Sequence, residues 1–212
     1  MKGKVLGIVL LAIMAFLTVA PVRAKAAGSG FYMIGKGGAT FGVSRDTGYA
    51  GELGVGYDFK SGVDIFGLEA AIGYYNTSGD ISTPTTYSGH IKADTDIVPL
   101  SFTGTLGLQL TTRIRVYAGL GLDIAWVSTD YSGHNGRGAS IKGSDSEIAL
   151  GYGGLSRVIF DITDKVFLGI EYKYLYWGND PNKHFDLNDG YYITQAPISA
   201  GNMLMAVFGF RF

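Results

Sequence analysis

Strict alternation of apolar and polar residues constrains the fold of this chain most. The segment IRVYAGLGLDIAWV, at 114–127, has an unbroken apolar face on its even positions, while Arg115, Tyr117 and Asp123 share the odd face with small residues. A period of two is typical of a β-strand, because successive side chains point to opposite faces of a sheet. The same pattern recurs along the chain, which therefore predicts many strands that each turn one face to an apolar environment.

The alternating segments number eight. We predict strands at 30–41, 49–59, 64–75, 97–110, 114–127, 147–160, 165–177 and 200–212. From the second strand onward, tight turns alternate with long polar loops, and the long loops are 76–96, 128–146 and 178–199. Long loops at one end and short turns at the other are typical of bacterial outer-membrane barrels. The predicted fold class is all-β: an eight-stranded antiparallel up-and-down transmembrane β-barrel with short periplasmic turns and long extracellular loops.

Alternation alone leaves open which face points inward. A soluble sandwich or a lipocalin-like barrel buries its apolar face, whereas a barrel in lipid exposes it, because hydrocarbon satisfies no charge. Aromatic residues gathered near the strand ends favour lipid, since they match interfacial girdles. The chain also has 33 glycines, and a charged face that is rich in glycine suits a narrow interior better than a wet surface.

The first 26 residues resemble a secretory signal peptide. Two lysines precede an uncharged apolar run at 5–20, and Ala24 and Ala26 fit a small-residue cleavage site. We predict cleavage after Ala26, which leaves 27–212 as one outer-membrane barrel domain. An uncleaved membrane anchor is the alternative, although the run is shorter than the ~20 residues of a comfortable membrane helix.

The charge and cysteine content of the remaining chain exclude several classes. Without the signal, 13 of the 17 Lys and Arg residues remain against 18 Asp and Glu residues, a formal net charge of −5. That balance disfavours a nucleic-acid partner. The sequence contains no cysteine, so neither disulfides nor a lipid-anchored N-terminus is expected.

Charged residues opposite the apolar face define the predicted interior. An eight-stranded barrel is only wide enough for its own side chains to fill it. Five basic and six acidic residues are assigned to this face, so we predict a filled lumen in which buried charges are paired. The predicted lumen charge network is Lys36, Glu52, Asp58, Glu69, Arg115, Asp123, Glu147, Arg157, Glu171, Lys173 and Arg211. Such an interior argues against an open porin and needs no cofactor.

The two ends of the barrel sequence carry further features of one family. GSGFYMIGKGG begins the first strand, and AVFGFRF closes the last with alternating aromatic residues. Together with the alternation of short turns and long loops between eight strands, these segments make the chain resemble the small outer-membrane barrels of Gram-negative bacteria. This group includes opacity-type adhesins, the OmpX and OmpA barrels and OmpW-like porin-family proteins. The charged lumen departs from the OmpW-like pattern, in which an apolar lumen is associated with passage of hydrophobic compounds.

This resemblance implies residence in the outer membrane and contact with its lipid and lipopolysaccharide. It also implies that the outer-membrane assembly machinery reads a signal in the last strand. We call the residues of that signal the terminal aromatic set, and they are Phe208, Phe210 and Phe212.

One repeat and all three histidines lie in the predicted loops. YSGH occurs at 87–90 and again at 131–134. Histidine and carboxylate side chains are metal ligands, and one interpretation is a loop metal site built from His90, His134, His184, Asp94, Asp96 and Asp186. Hairpin duplication, with polar residues gathering in loops, explains the same pattern and is favoured, so no metal site is predicted.

Catalysis is not predicted either. A lipid A deacylase is expected to show a His-x-Ser-Asn motif, whereas His184 is followed by Phe, Asp and Leu. No nucleophile, base and orienting group can be assembled from the sequence. The function predicted is therefore non-enzymatic: surface binding or adhesion of an extracellular ligand through loops 76–96, 128–146 and 178–199, with a structural role in the envelope. The alternative is a narrow porin or channel for small solutes.

Overall fold

The computed structural model describes residues 29–41, 48–81, 90–134, 140–178, 184–186, 192–194 and 200–212. Eight strands close into a barrel: β1 (Gly30–Phe41), β2 (Gly48–Ser61), β3 (Asp64–Ile81), β4 (His90–Gln109), β5 (Ile114–His134), β6 (Ser140–Asp161), β7 (Val166–Gly178) and β10 (Ala200–Arg211). Two short strands, β8 (His184–Asp186) and β9 (Tyr192–Thr194), form a separate hairpin-like sheet. The predicted all-β, eight-stranded barrel is confirmed. The predicted signal peptide lies outside the described residues.

The ladder of the barrel is continuous around its circumference. Each barrel strand pairs antiparallel with its neighbour in sequence, and β10 closes onto β1, where Phe208 lies opposite Gly35. Closure matters because hydrocarbon offers no partner to an unpaired backbone group. The last strand of the sequence is thus the strand that removes the open edge.

The apolar face of each strand points outward, as a barrel in lipid requires. Leu120 on β5 is 78% exposed, and Leu106 on β4 is 68% exposed. Their sequence neighbours of opposite parity point into the lumen, where Arg115 is 1% exposed. A soluble barrel would show the reverse arrangement.

Four consecutive strands are much longer than predicted. β3, β4, β5 and β6 contain 18, 20, 21 and 22 residues, whereas the other barrel strands contain 12 to 14. Much of predicted loops 76–96 and 128–146 is therefore strand, and β8 and β9 lie within 178–199; the other parts of these loops lie outside the described residues. The prediction ended each strand where its apolar face ended. A strand that continues beyond the membrane keeps its backbone hydrogen bonds to its neighbours, but its outward residues no longer have to be apolar.

The connections at the opposite end are tight. Gly62, between β2 and β3, has a φ of +66°, a left-handed conformation that favours glycine. Between β4 and β5, the Thr111 hydroxyl accepts hydrogen bonds from the backbone N–H groups of Arg113 and Ile114. Thr163 makes the matching bonds between β6 and β7. In the described ranges, no helix capable of crossing a membrane is found.

Candidate functional site in the barrel interior

A network of buried ion pairs crosses the lumen at mid-height. Lys36 on β1 is its centre: the Lys36 ammonium lies 2.8 Å from Glu52, 2.7 Å from Glu69 and 3.0 Å from Glu171. These carboxylates come from three different strands, so one ammonium ties four strands together. All four side chains are at most 2% exposed.

Two further bases complete this central network. Arg157 donates to the two carboxylate oxygens of Glu69 at 2.9 and 3.1 Å and to Glu171 at 2.6 Å. Lys173 lies 3.0 Å from Glu52 and 3.3 Å from Asp123. We define the central network by these direct ion pairs: Lys36, Arg157, Lys173, Glu52, Glu69, Asp123 and Glu171.

Hydroxyl groups donate further hydrogen bonds to carboxylate oxygens of the network. Tyr32 donates to Glu69 at 3.0 Å, Tyr75 donates to Glu52, and Ser101 donates to Asp123. Buried charges need such additional hydrogen bonds, because desolvation otherwise outweighs their mutual attraction. The interior is therefore arranged as a paired and hydrogen-bonded plug.

A second, smaller group of ion pairs lies at the periplasmic end. Arg115 lies 3.1 Å from Asp58 and 2.9 Å from Asp161, and Arg211 lies 2.8 Å from Asp161. The Arg211 guanidinium also lies 4.9 Å from the centre of the Phe167 ring. A cavity of about 10 Å³ borders this group, which is about the volume that one water molecule needs.

Apolar side chains fill the lumen on both sides of the central network. Towards the extracellular end, the buried cluster consists of Ala50, Tyr75, Ile97, Ala125, Val127, Ala149, Leu175, Trp177, Met203 and Met205. Towards the periplasm, it consists of Tyr32, Ile34, Ile65, Tyr117, Ile159, Phe167 and Val207. Ions that enter the described lumen therefore meet an apolar layer, a layer of paired charges and a second apolar layer.

Most of the charges assigned to the lumen from sequence lie together in it. Nine of them are buried, and two are half-buried: Glu147 in the extracellular part of β6 and Arg211 at the periplasmic end. Glu147 belongs to neither group of ion pairs defined above. In the same extracellular region, burial raises the pKa of Tyr131, and the neighbouring carboxylates Asp145 and Glu147 raise it further.

Several interior groups were missed from the sequence. Asp161 has the parity of Arg157, but the predicted strand ended one residue earlier. Three of the four buried tyrosines and the apolar extracellular layer were also missed; they share the parity of the assigned charges, so extending the alternation to uncharged residues finds them. Among them are Tyr32, Tyr75, Tyr131, Leu175, Trp177 and Met203.

The two histidines of the repeat, His90 and His134, lie at the ends of β4 and β5 that are opposite the tight turn joining these strands. The backbones of His90 and His134 are paired directly across the two strands, and His134 is exposed. His184 lies in β8, and its side chain is outside the described part. Within the residues that the structure describes, no group of three or more His, Cys, Asp or Glu residues is placed to hold a metal ion.

The terminal aromatic set lies on the outward face of β10 and at the residue that follows it. Its three rings are 55%, 38% and 73% exposed, in chain order. Phe210 and Phe212 contact each other edge to face, with ring centroids 5.4 Å apart. The set is accessible from the membrane side beside the strand that closes the barrel.

Comparison with known proteins identifies the family of this barrel. A family profile described as "Outer membrane protein beta-barrel domain" matches residues 9–200. The chain belongs to this outer-membrane β-barrel family. It is 26% identical over 180 residues to the "22 kDa outer membrane protein" of Rhizobium leguminosarum bv. viciae, a match that covers 81% of this chain and 73% of that protein. The resemblance predicted from the sequence is confirmed, and the protein is located in the outer membrane.

Solved structures of family-like barrels share the fold. Neisserial surface protein A has a TM-score of 0.53 at 17% identity, with 87% of this chain and 99% of that chain covered. The outer-membrane protease OmpT of Escherichia coli has a TM-score of 0.52 at 9% identity, with 87% and 94% covered. Likeness at such identities extends to the fold alone, so the protease activity of OmpT carries no information about the chemistry of this outer-membrane barrel.

Proposed function

We propose that this protein acts at the cell surface as a non-enzymatic binding protein, whose barrel is a closed anchor and whose protruding strands carry the contact. The observation that carries the proposal is the combination of a filled lumen with four overlong strands. A transmembrane strand needs about 9 to 11 residues. β3 to β6, with 18 to 22 residues, extend well beyond that length as one sheet.

The charge pattern of the protruding sheet suits a polar ligand. Its exposed side chains carry both signs, as in the Lys92–Asp94 ion pair, whose side chains are 51% and 47% exposed. Asp130 and Lys142 are exposed on the neighbouring strands. A mixed, hydrated surface of this kind favours a macromolecule or a polysaccharide over a hydrophobic compound.

The filled interior supports an anchor more than the alternative function, a narrow channel. Ion-paired and apolar layers occupy the described lumen, and the small cavity at its periplasmic end has room for about one water molecule. The same proposal includes the membrane partners: lipid and lipopolysaccharide around the apolar outer face, and the assembly machinery at the terminal aromatic set.

The pairing register of the strands shows where the protruding hairpins can be shortened to test the binding surface. Asn76 pairs with Asp96, and Ser128 pairs with Ser146. Excising 77–95 and 129–145, and joining each pair with a two-residue Asn-Gly turn, trims both hairpins while the barrel pairs remain. Parent and trimmed proteins in lipid nanodiscs are then compared on an array of polysaccharides and extracellular-matrix proteins.

We expect the trimmed protein to keep heat-modifiable mobility on gels, which reports a folded barrel, and to lose the parent's binding. A matched control trims neither hairpin but replaces the exposed pair by Lys92→Asp and Asp94→Lys, which retains the sheet and tests charge placement. Equal binding by the folded parent and trimmed proteins, or no binding by the parent, contradicts the proposed function.

A further inference from the structure

The ion pairs at the periplasmic end form an open chain across the mouth of the lumen. Asp58 on β2 lies 3.1 Å from Arg115 on β5, and Arg115 lies 2.9 Å from Asp161 on β6. Asp161 in turn lies 2.8 Å from Arg211 on β10. Within the described part of the chain, no ion pair joins the two ends, Asp58 and Arg211, to each other.

Both ends of this chain line one cavity. Its volume is about 10 Å³, close to the smallest volume that holds one water molecule. Arg157 of the central network lines the same cavity, so the cavity reaches from the periplasmic group to the central network. Any group bound there would contact both sets of ion pairs.

One hydrogen-bond donor at this cavity has no acceptor. Arg211 Nε is buried and makes no hydrogen bond to the described residues, whereas a terminal nitrogen of the same guanidinium donates to Asp161. A buried N–H group without a partner is unfavourable, and such groups are usually bonded to protein or to ordered water. The side of Arg211 that carries Nε therefore needs an acceptor.

Other polar groups at the cavity offer acceptors rather than donors. The Tyr32 hydroxyl donates its proton to Glu69, and the Tyr117 hydroxyl donates to Asp58, so both phenol oxygens can only accept a further bond. Arg115 and Tyr117 both donate to Oδ2 of Asp58, and a carboxylate has lone pairs for additional donors. A molecule that fills the cavity therefore has to accept from Arg211 and donate to an oxygen.

We propose that this cavity is a binding site for one water molecule, which accepts a hydrogen bond from Arg211 Nε and donates one to Asp58. The phenol oxygen of Tyr32 is an acceptor for its second proton. Water meets both requirements with a single heavy atom. A chloride ion would accept from Arg211, but it has no proton to donate and would lie against the Asp58 carboxylate.

The bound water closes the chain of ion pairs into a ring. Asp58 and Arg211 belong to β2 and β10, the two strands that flank β1 in the barrel. Gly30, the residue of β1 that is paired with Asp58, has no side chain to intervene. The water link thus crosses the seam between β1 and β10, and it holds the last strand at the end that carries the terminal aromatic set.

Two isoleucines make a matched pair for a direct test. Ile159 and Ile97 are both 2% exposed, but Ile159 lines the cavity, whereas Ile97 belongs to the extracellular apolar layer. The parent protein is deuterated, labelled with protonated isoleucine methyl groups and placed in lipid nanodiscs for NMR. The Ile159 methyl group should show a nuclear Overhauser effect from a long-lived water molecule, and Ile97 should show none. Single replacements by valine assign the two signals.

Asp58→Glu tests where the water molecule lies. The additional methylene group brings the carboxylate into the cavity, where it can accept directly from Arg211 Nε. The water signal at Ile159 should therefore disappear. Asp64→Glu is the matched control, because Asp64 is exposed at the periplasmic rim and does not line the cavity. This control should keep the signal.

Hydrogen exchange tests the role of the ring at the seam. The Phe212 backbone N–H donates to the Phe31 carbonyl oxygen at 3.0 Å, where the last strand meets the first. Asp58→Ala cannot close the ring, so its Phe212 amide should exchange severalfold faster than that of Asp58→Glu. Equal exchange rates in the two folded variants would contradict the link across the seam.

Three results overturn the water site. A parent protein without the signal at Ile159 binds no long-lived water in this cavity, and this result does not depend on any variant folding. A signal that persists in folded Asp58→Glu contradicts the bridge between Asp58 and Arg211. A shift of the parent's Arg211 Nε–H resonance when chloride replaces sulfate in the buffer would identify an anion in place of water.

Discussion

Replacing Arg157 by methionine tests the claim that the interior is a sealed ion-pair network. Methionine has a similar length and no charge, so Arg157→Met removes the guanidinium while it fills much of the same space. The substitution takes two hydrogen bonds from Glu69 and one from Glu171. Both carboxylates remain buried, with side chains 2% and 0% exposed.

The expected loss follows from the partners that remain. Breaking a buried pair by removing one partner costs about 3–5 kcal/mol, because an uncompensated charge stays behind. Lys36 still contacts both carboxylates, and Tyr32 still donates to Glu69. These retained partners place the loss at the lower end, about 3 kcal/mol, or roughly a hundredfold in the unfolding equilibrium constant.

The assay is urea unfolding in lipid vesicles. Unfolding is monitored by the fluorescence of Trp177, which is 2% exposed inside the lumen. A Trp126→Phe background removes the second tryptophan of the chain. Lys92→Met is the matched control, since it breaks an exposed pair and should cost less than about 1 kcal/mol.

Adding Glu69→Gln to Arg157→Met should cost less than the two single losses combined. If Arg157→Met unfolds within about 1 kcal/mol of the parent, water solvates the stranded carboxylates, and the reasoning from a sealed network is refuted.

Further predictions concern the wall of the barrel and its assembly. Leu120→Arg should cost about 2–4 kcal/mol in vesicles, because its outward side chain lies near the middle of the lipid-facing segment 114–127 of β5; a variant as stable as the parent would reverse the assignment of faces. Gly38→Ala should cost about 1–3 kcal/mol, because its Cβ would lie 1.9 Å from the Leu204 carbonyl oxygen, whereas Gly37→Ala has nothing within 4 Å and should be nearly neutral in the same measurement. Serine at all three positions of the terminal aromatic set should leave export intact and remove heat-modifiable protein from outer-membrane fractions; normal levels there would show that the set is not an assembly signal.

Sequence alternation predicted the barrel well because burial and lipid exposure both follow a period of two. β1 matches its predicted range at 30–41, because the alternation of inward and outward residues runs along the whole strand. β5 and β6 were cut short at their outer ends, because outside the membrane nothing requires an apolar face. Alternation describes the part of a strand in lipid and is silent about its continuation into water.

The sequence predicted which residues face the interior of the barrel, but it did not predict which of these residues pair with each other. Parity placed Lys36 and Glu171 on one face, yet the pair joins residues 135 positions apart in sequence. Which base meets which acid depends on barrel stagger and on glycines that make room for long side chains, and neither is encoded in a local pattern.

Planar-bilayer conductance of the refolded parent protein tests the central claim, a closed barrel that anchors a binding surface. Insertion is verified beforehand by heat-modifiable mobility of the same preparation. Because two apolar layers and a paired charge layer fill the described lumen, we predict no stable single-channel steps across the range of voltages that the bilayer withstands. Regular steps from the parent, unchanged when 77–95 and 129–145 are excised, would contradict the closed anchor and establish a channel through the barrel.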